Sequence, residues 1–94
     1  DFKTHKNYVN EHYEKISRYY KSLSKNVKIY KNKRLVGEID ILAKKGEFYD
    51  VFEVKCSRRI TKARQQKKKL LKNSELNIRN VWFYCGTSSK LTLL

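Results

Sequence analysis

Five of the nine acids in this 94-residue chain lie between Glu38 and Glu53, in a sequence that otherwise carries 23 Lys plus Arg. Two segments hold them. Leu35–Ala43 (LVGEIDILA) and Phe48–Cys56 (FYDVFEVKC) both alternate apolar with polar residues, and Gly46 lies between them as a turn residue. The pattern predicts a β-hairpin. A turn centred between Gly46 and Glu47 pairs residues whose numbers sum to 93, which sets the register. Asp40 then faces Glu53, and Glu38 faces Lys55, with Leu42 and Val51 on the same face. The other face pairs Ile39 with Val54 and Ile41 with Phe52, as a core face should. Directly opposed carboxylates destabilise a sheet by a few tenths to ~1 kcal/mol, and a divalent cation between them removes that cost. Carboxylate oxygens, with water and phosphate completing the shell, suit Mg²⁺. A neighbouring lysine could orient or deprotonate an attacking water, or neutralise charge building on a phosphate. A solvent-facing hairpin with ordinary alternating charges is the plain alternative.

The elements that must carry this hairpin are also visible. Val9, Tyr13, Ile16, Tyr20 and Leu23 recur at spacings of four and three, which predicts a helix from Lys3 to Leu23 with a Tyr-rich core stripe. Ser24-Lys25-Asn26 would end it. Val27 and Ile29 mark a basic first strand around Asn26–Lys33. Beyond the hairpin, Thr61–Leu76 reads as a second helix, with Thr61 as N-cap and Ala63, Leu70 and Leu71 as its apolar stripe. Asn80–Gly86 (NVWFYCG) is a continuous hydrophobic run closed by Gly, the pattern of a buried strand with Trp82, Phe83 and Tyr84 in the core. The tail Lys90–Leu94 is either a last edge strand or, through Leu91–Leu94, an interface. The expected fold class is α/β: a single mixed β-sheet flanked by helices in the order α-β-β-β-α-β(-β), one domain over residues 1–94.

Composition narrows the function. A formal charge of +14 excludes a neutral scaffold and points to a polyanion, because Lys and Arg that neutralise phosphates release counterions. Hydrophobic residues at 39% and aromatics at 13% are enough to fold. Burial of only ~60–65% of the unfolded surface is expected for a chain of this size, so the core is thin. No apolar run approaches the ~18–20 residues of a membrane span, no signal peptide is read, and surface attachment would need a basic amphipathic helix with a clean apolar face. Cys56 and Cys85 are too far apart in sequence for a metal knuckle. They read as reduced thiols in or near the core, consistent with a cytoplasmic, reducing setting. The sequence lacks Met, which leaves open a subdomain of a larger enzyme.

Gly37-Glu38-Ile39-Asp40-Ile41-Leu42 followed by Phe52-Glu53-Val54-Lys55 resembles the PD-(D/E)XK nuclease superfamily. It is most similar to the small archaeal Holliday junction resolvases and related compact nucleases. The resemblance covers nearly the whole chain and implies a restriction-endonuclease-like core. It makes Asp40 and Glu53 the metal-binding acids, the Val54 carbonyl a further ligand and Lys55 the catalytic lysine. Glu38 becomes an auxiliary acid paired with Lys55, and Glu11 the acid of the first helix, although Glu11 lies off the Val9–Ile16–Tyr20 stripe. The proline of the family pattern is replaced by Ile39. Related nucleases also present a Gln from the second helix toward DNA, here Gln66, whose amide could read a phosphate or a base edge.

Arg58, Arg59, Lys62, Arg64, Lys67, Lys68 and Lys69 form a basic belt that starts three residues after Lys55. A belt placed there is expected to track a phosphate backbone. The expected activity is therefore a Mg²⁺-dependent endonuclease, with Mn²⁺ as substitute, acting on duplex or branched DNA. A junction resolvase would also imply a homodimer, since two symmetric nicks need two sites. The rival is a non-catalytic basic module that holds DNA or RNA, with a nuclease-like or unrelated fold.

Overall fold

The computed structural model describes residues 2–94. Helix α1 runs His5–Ile16 and starts at a reciprocal cap: Asn7 N–H donates to the Thr4 hydroxyl, and Thr4 N–H donates to the Asn7 side chain. It buries Tyr8, Val9, His12 and Ile16. The apolar spacing continues past Ile16, but the helix does not. Ser17 donates its hydroxyl to the Glu14 carbonyl, a 3-10 turn spans Ser17–Tyr19, and Tyr20 is already extended. Leu23, expected on the helix, sits on strand β1 (Ser22–Lys31) opposite Ala43 of β2 (Arg34–Lys45). Ser24, Lys25 and Asn26 belong to β1 rather than to a helix end.

The sheet follows chain order. Strand β2 turns into β3 (Phe48–Lys55), α2 (Ile60–Asn73) crosses over, and β4 (Ile78–Cys85) and β5 (Lys90–Leu93) complete five strands in the order β1-β2-β3-β4-β5. Only β3 and β4 run parallel, as the helical crossover requires. The fold is thus mixed α/β, one open sheet with two helices. Helix α2 has Arg59 at its N-cap without a side-chain cap, so Thr61 does not cap it. It stops at Asn73, where Ser74 N–H donates to Leu70 O and the Ser74 hydroxyl accepts Leu76 N–H.

The β2–β3 turn is where it was expected: Lys45 pairs with Phe48 around Gly46-Glu47, and Gly46 has φ +62. The pairs from there to Ile41–Phe52 all sum to 93. The β1–β2 turn, by contrast, falls at Asn32-Lys33, with φ 53 and 64. Two left-handed residues between a paired Lys31 and Arg34 suit the twist of a hairpin. Asn tolerates that conformation; Lys does not.

Both faces of the sheet are covered. Ile41, Ala43, Phe52, Val54 and Tyr84 pack under α1, while Ile39, Val51 and Val81 pack with Leu70 of α2. Ile39 and Ile41 therefore face opposite ways although two residues apart, contrary to the single core face expected for both. Strand β1 does the same: Leu23 joins the α1 side, Val27 and Ile29 the α2 side. The switch occurs where Asn26, at φ 54, lies between the Lys25–Ile41 and Val27–Ile39 pairs, alongside Asp40. Phe83 and Cys85 are buried with Ala63 on the α2 side, and Trp82 is half-buried. Gly86 is required at the end of β4, because a Cβ there would collide with the Tyr8 ring. The free thiols part company: Cys56 packs against the α1-side core, Cys85 within the α2-side cluster. Among the described residues no helix is long and apolar enough to cross a membrane.

Two outcomes test these local arguments. Lys33→Gly relieves the left-handed strain and is expected to raise Tm by a few degrees, with Lys33→Val lowering it, by thermal melts. His12 is buried against Tyr84 and Phe52, and neither ring nitrogen has a hydrogen-bond partner among the described residues. Burial, aided by Lys15, pushes its pKa down to about 4. The unfolded chain takes up this proton near the ordinary 6.5, so stability is lost as pH falls through that window. The Tm advantage of His12→Phe over wild type should widen between pH 7 and pH 4.

Candidate functional site

Strand β3 carries two buried carboxylates three residues apart, Asp50 and Glu53. Their treatment differs. Asp50 receives two bonds from the Arg79 guanidinium at 3.2 and 2.7 Å, one from the Tyr20 hydroxyl at 2.7 Å and one from the Asn80 amide at 3.2 Å. Burial alone would raise its pKa, but these donors outweigh it and hold the carboxyl below its ordinary value. Asp50 is a structural pin between the segment that follows the 3-10 turn, β3 and β4. Glu53 is 4% exposed and receives no hydrogen bond among the described residues. Burial first, then the charge of Asp40, push its pKa up to about 8; Glu38 adds to the rise and Lys55 opposes it. A carboxyl held largely out of water beside another acid, and facing a pocket, is costly to ionise, and such perturbed groups concentrate at functional sites.

Asp40 explains how the two acids come together. The β2–β3 pairing ends at Ile41–Phe52, one residue short of the expected Asp40–Glu53 pair. The next outward-pointing backbone groups on β3 belong to Val54, and no strand is left to receive them. Asp40 Oδ2 accepts the Val54 N–H at 2.9 Å, and the His5 Nε2 lies 2.9 Å from the Val54 carbonyl. The same Nε2 is 3.4 Å from Asp40 Oδ2. The N-terminal turn of α1 thus reaches the centre of the site through His5, a residue that sequence reasoning passed over. Nothing in its local pattern marks it, because its contact spans forty-nine residues.

The remaining expected residues divide into groups. A pocket of about 110 Å³ between β2 and α2 brings Glu38 and Glu53 together with Gln66 and Lys69. Glu38 itself is exposed. A shallower depression on the other side of the strand end gathers His5, Lys55, Cys56 and Arg59. Lys55 makes no ion pair among the described residues, with Glu38 or otherwise, so the expected Glu38–Lys55 pair is absent from them. Glu11 is held by Lys3 at 2.6 Å and lines neither of these two pockets. Arg58, Lys62, Arg64 and Lys68 are exposed, whereas Lys67 donates to the Leu94 carbonyl at 2.9 Å.

Among the described residues no three His, Cys, Asp or Glu side chains converge into a metal cage. The donors present are the carboxylates of Asp40 and Glu53 and the Val54 carbonyl, all hard oxygens. They fit Mg²⁺ or Mn²⁺, which take one or two carboxylates and fill the remaining positions with water and phosphate oxygen. An ion there would favour the charged form of the Glu53 carboxyl, which the fold by itself disfavours. No protein-family model matches the chain, and no curated protein sequence matches it.

The Glu53 environment has a measurable consequence without any ligand. Its carboxyl ionises near the ordinary 4.5 in the unfolded chain but only near 8 in the fold, so the folded state is progressively disfavoured as pH rises between the two. Glu53→Gln keeps the shape and removes the charge. In EDTA its Tm should match wild type at pH 4 and exceed it by several degrees at pH 8; thermal melts across that range check it.

Proposed function

We propose that this chain is a metal-dependent endonuclease of the PD-(D/E)XK type that hydrolyses DNA phosphodiester bonds, using Mg²⁺ with Mn²⁺ as substitute. The observation that carries the reading is the Glu53 carboxyl, buried without a donor beside Asp40, with Lys55 two residues further on. The helix, three strands, helix, strand order and the parallel β3–β4 pair joined through α2 support a restriction-endonuclease-like core.

Asp40, Glu53 and the Val54 carbonyl would hold the ion. When bound, it polarises the scissile phosphate and lowers the pKa of a coordinated water. Lys55, two residues beyond Glu53 and without an ion pair among the described residues, positions that water and offsets negative charge on the phosphate. Glu38 lies at the pocket rim and adds negative charge there. Gln66 and Lys69 face the same pocket and contact the backbone of the bound strand. Branched DNA is the finer form of the substrate assignment, and a homodimer follows from it.

One observation favours a second reading, a non-catalytic DNA- or RNA-binding module: His5 already engages the Val54 carbonyl that a metal would use. Nicking of supercoiled plasmid and of a synthetic four-way junction, in Mg²⁺, Mn²⁺ or EDTA, separates the two. The nuclease reading expects metal-dependent cutting that Glu53→Gln and Asp40→Asn reduce to the EDTA background. DNA affinity should be kept or increased in Glu53→Gln, since a negative charge is gone. Cutting retained in Glu53→Gln would overturn the assignment, and salt-sensitive binding without cutting by wild type would leave the binding module.

A further inference from the structure

The pocket holding Glu38 and Glu53 continues outward. Ile29 and Asn73 line both this pocket and an adjoining groove of about 580 Å³. The groove runs between the β1 arm of the β1–β2 hairpin and the C-terminal half of α2. Its walls are basic on both sides, with Lys28 and Lys31 from β1 and Lys72 from α2, and Lys69 at the junction with the inner pocket. Glu75 is the acid in its outer lining. Tyr30 also lines the groove and is 59% exposed, with no hydrogen bond or ring contact among the described residues.

The β1–β2 register shifts beside Tyr30: Ile29 pairs with Gly37 but Tyr30 with Leu35, so Val36 of β2 is the extra residue of a bulge. Ile29 packs with the α2-side core, while Tyr30, Lys28 and Lys31 line the groove. A large exposed aromatic ring therefore shares the groove's lining with three lysines, where the core does not claim it.

We propose that this groove binds a single strand of nucleic acid and leads it toward the Glu53 pocket, with the phosphates along the lysines and an unpaired base stacked on Tyr30. A basic channel with an exposed aromatic is how single strands are held without sequence preference. A duplex keeps its bases stacked on one another and offers Tyr30 no free face. Lysines on both walls also suit one backbone lying between them. The direction of threading rests on the nuclease reading; the binding of a strand does not.

The test is fluorescence anisotropy in EDTA with a labelled oligothymidylate and a duplex of equal length, over a salt series. The single strand should bind more tightly than the duplex. Tyr30→Ala should weaken it about tenfold, within the range for loss of one stacked base, and leave the duplex unchanged, while Tyr30→Trp should restore it. Lys31→Ala with Lys72→Ala should flatten the salt dependence for the single strand by about 0.7 in log–log slope per lysine removed. Unaltered Tm in each variant keeps folding out of the comparison, since all three side chains are exposed. An unchanged affinity in Tyr30→Ala would overturn the proposal, as would duplex preference, or polyglutamate competing as well as the oligonucleotide. Because no metal is present, a protein that fails to nick DNA but shows the Tyr30 effect loses the nuclease assignment and keeps this one; the reverse result does the opposite.

Discussion

The β2–β3 ladder stops at Ile41 and Phe52 while β3 runs on to Lys55, and the arrangement of the site depends on that stop. A buried strand residue cannot leave its N–H and C=O unmade. Val54 is the residue caught by the early end, and the chain answers with two side chains from different elements, Asp40 of β2 and His5 of α1. The rotation of β2 at Asp40, which sends Ile39 and Ile41 to opposite faces, directs the carboxylate to the Val54 N–H and within 3.4 Å of His5. Asn26 makes the matching rotation possible on β1, since its left-handed backbone is one that few other residues adopt readily. One break in a ladder therefore fixes an acid, a histidine and a backbone carbonyl at a single point.

The two acids of β3 are treated in opposite ways by the fold. Asp50 is surrounded by donors and ties α1's exit to β3 and β4. Glu53, on the opposite face, is deprived of them. A chain this small has little core to spare, so an acid held largely out of water without a protein donor is a burden on the fold. Stability surrendered at one position and secured three residues away is the pattern of a site whose requirements differ from those of the core.

Much of the fold was legible because its signals are local. Period-two alternation and Gly46 specify the β2–β3 turn and its register from Ile41–Phe52 to Lys45–Phe48. The run Val81–Cys85 announces a strand buried on both faces. The signals failed where a distant partner decides. Tyr20 and Leu23 continue a helical spacing, yet Tyr20 is drawn to Asp50 thirty residues on and Leu23 to Ala43. Lys33 carries no turn signature, so the first hairpin's turn was hidden inside an apparent strand. The acids of the candidate site could be named from spacing, because Glu38, Asp40 and Glu53 stand out in a basic chain. His5 could not, and neither could the exchange of a ladder bond for the Asp40 carboxylate, since both follow from where pairing ends rather than from any short motif.

Cys56 and Cys85 lie almost side by side along the β3–β4 pair, where Lys55 is opposite Cys85, yet they point into different cores. A disulfide needs Cβ vectors that approach one another, and a sheet stands between these two. Oxidation therefore cannot close a covalent loop within one molecule. Its route is outward, through the half-buried Cys56, to a second molecule. The monomer keeps the same connectivity in reducing and oxidising solution, so any thiol-dependent change in size would report cross-linked pairs and not a rearranged fold.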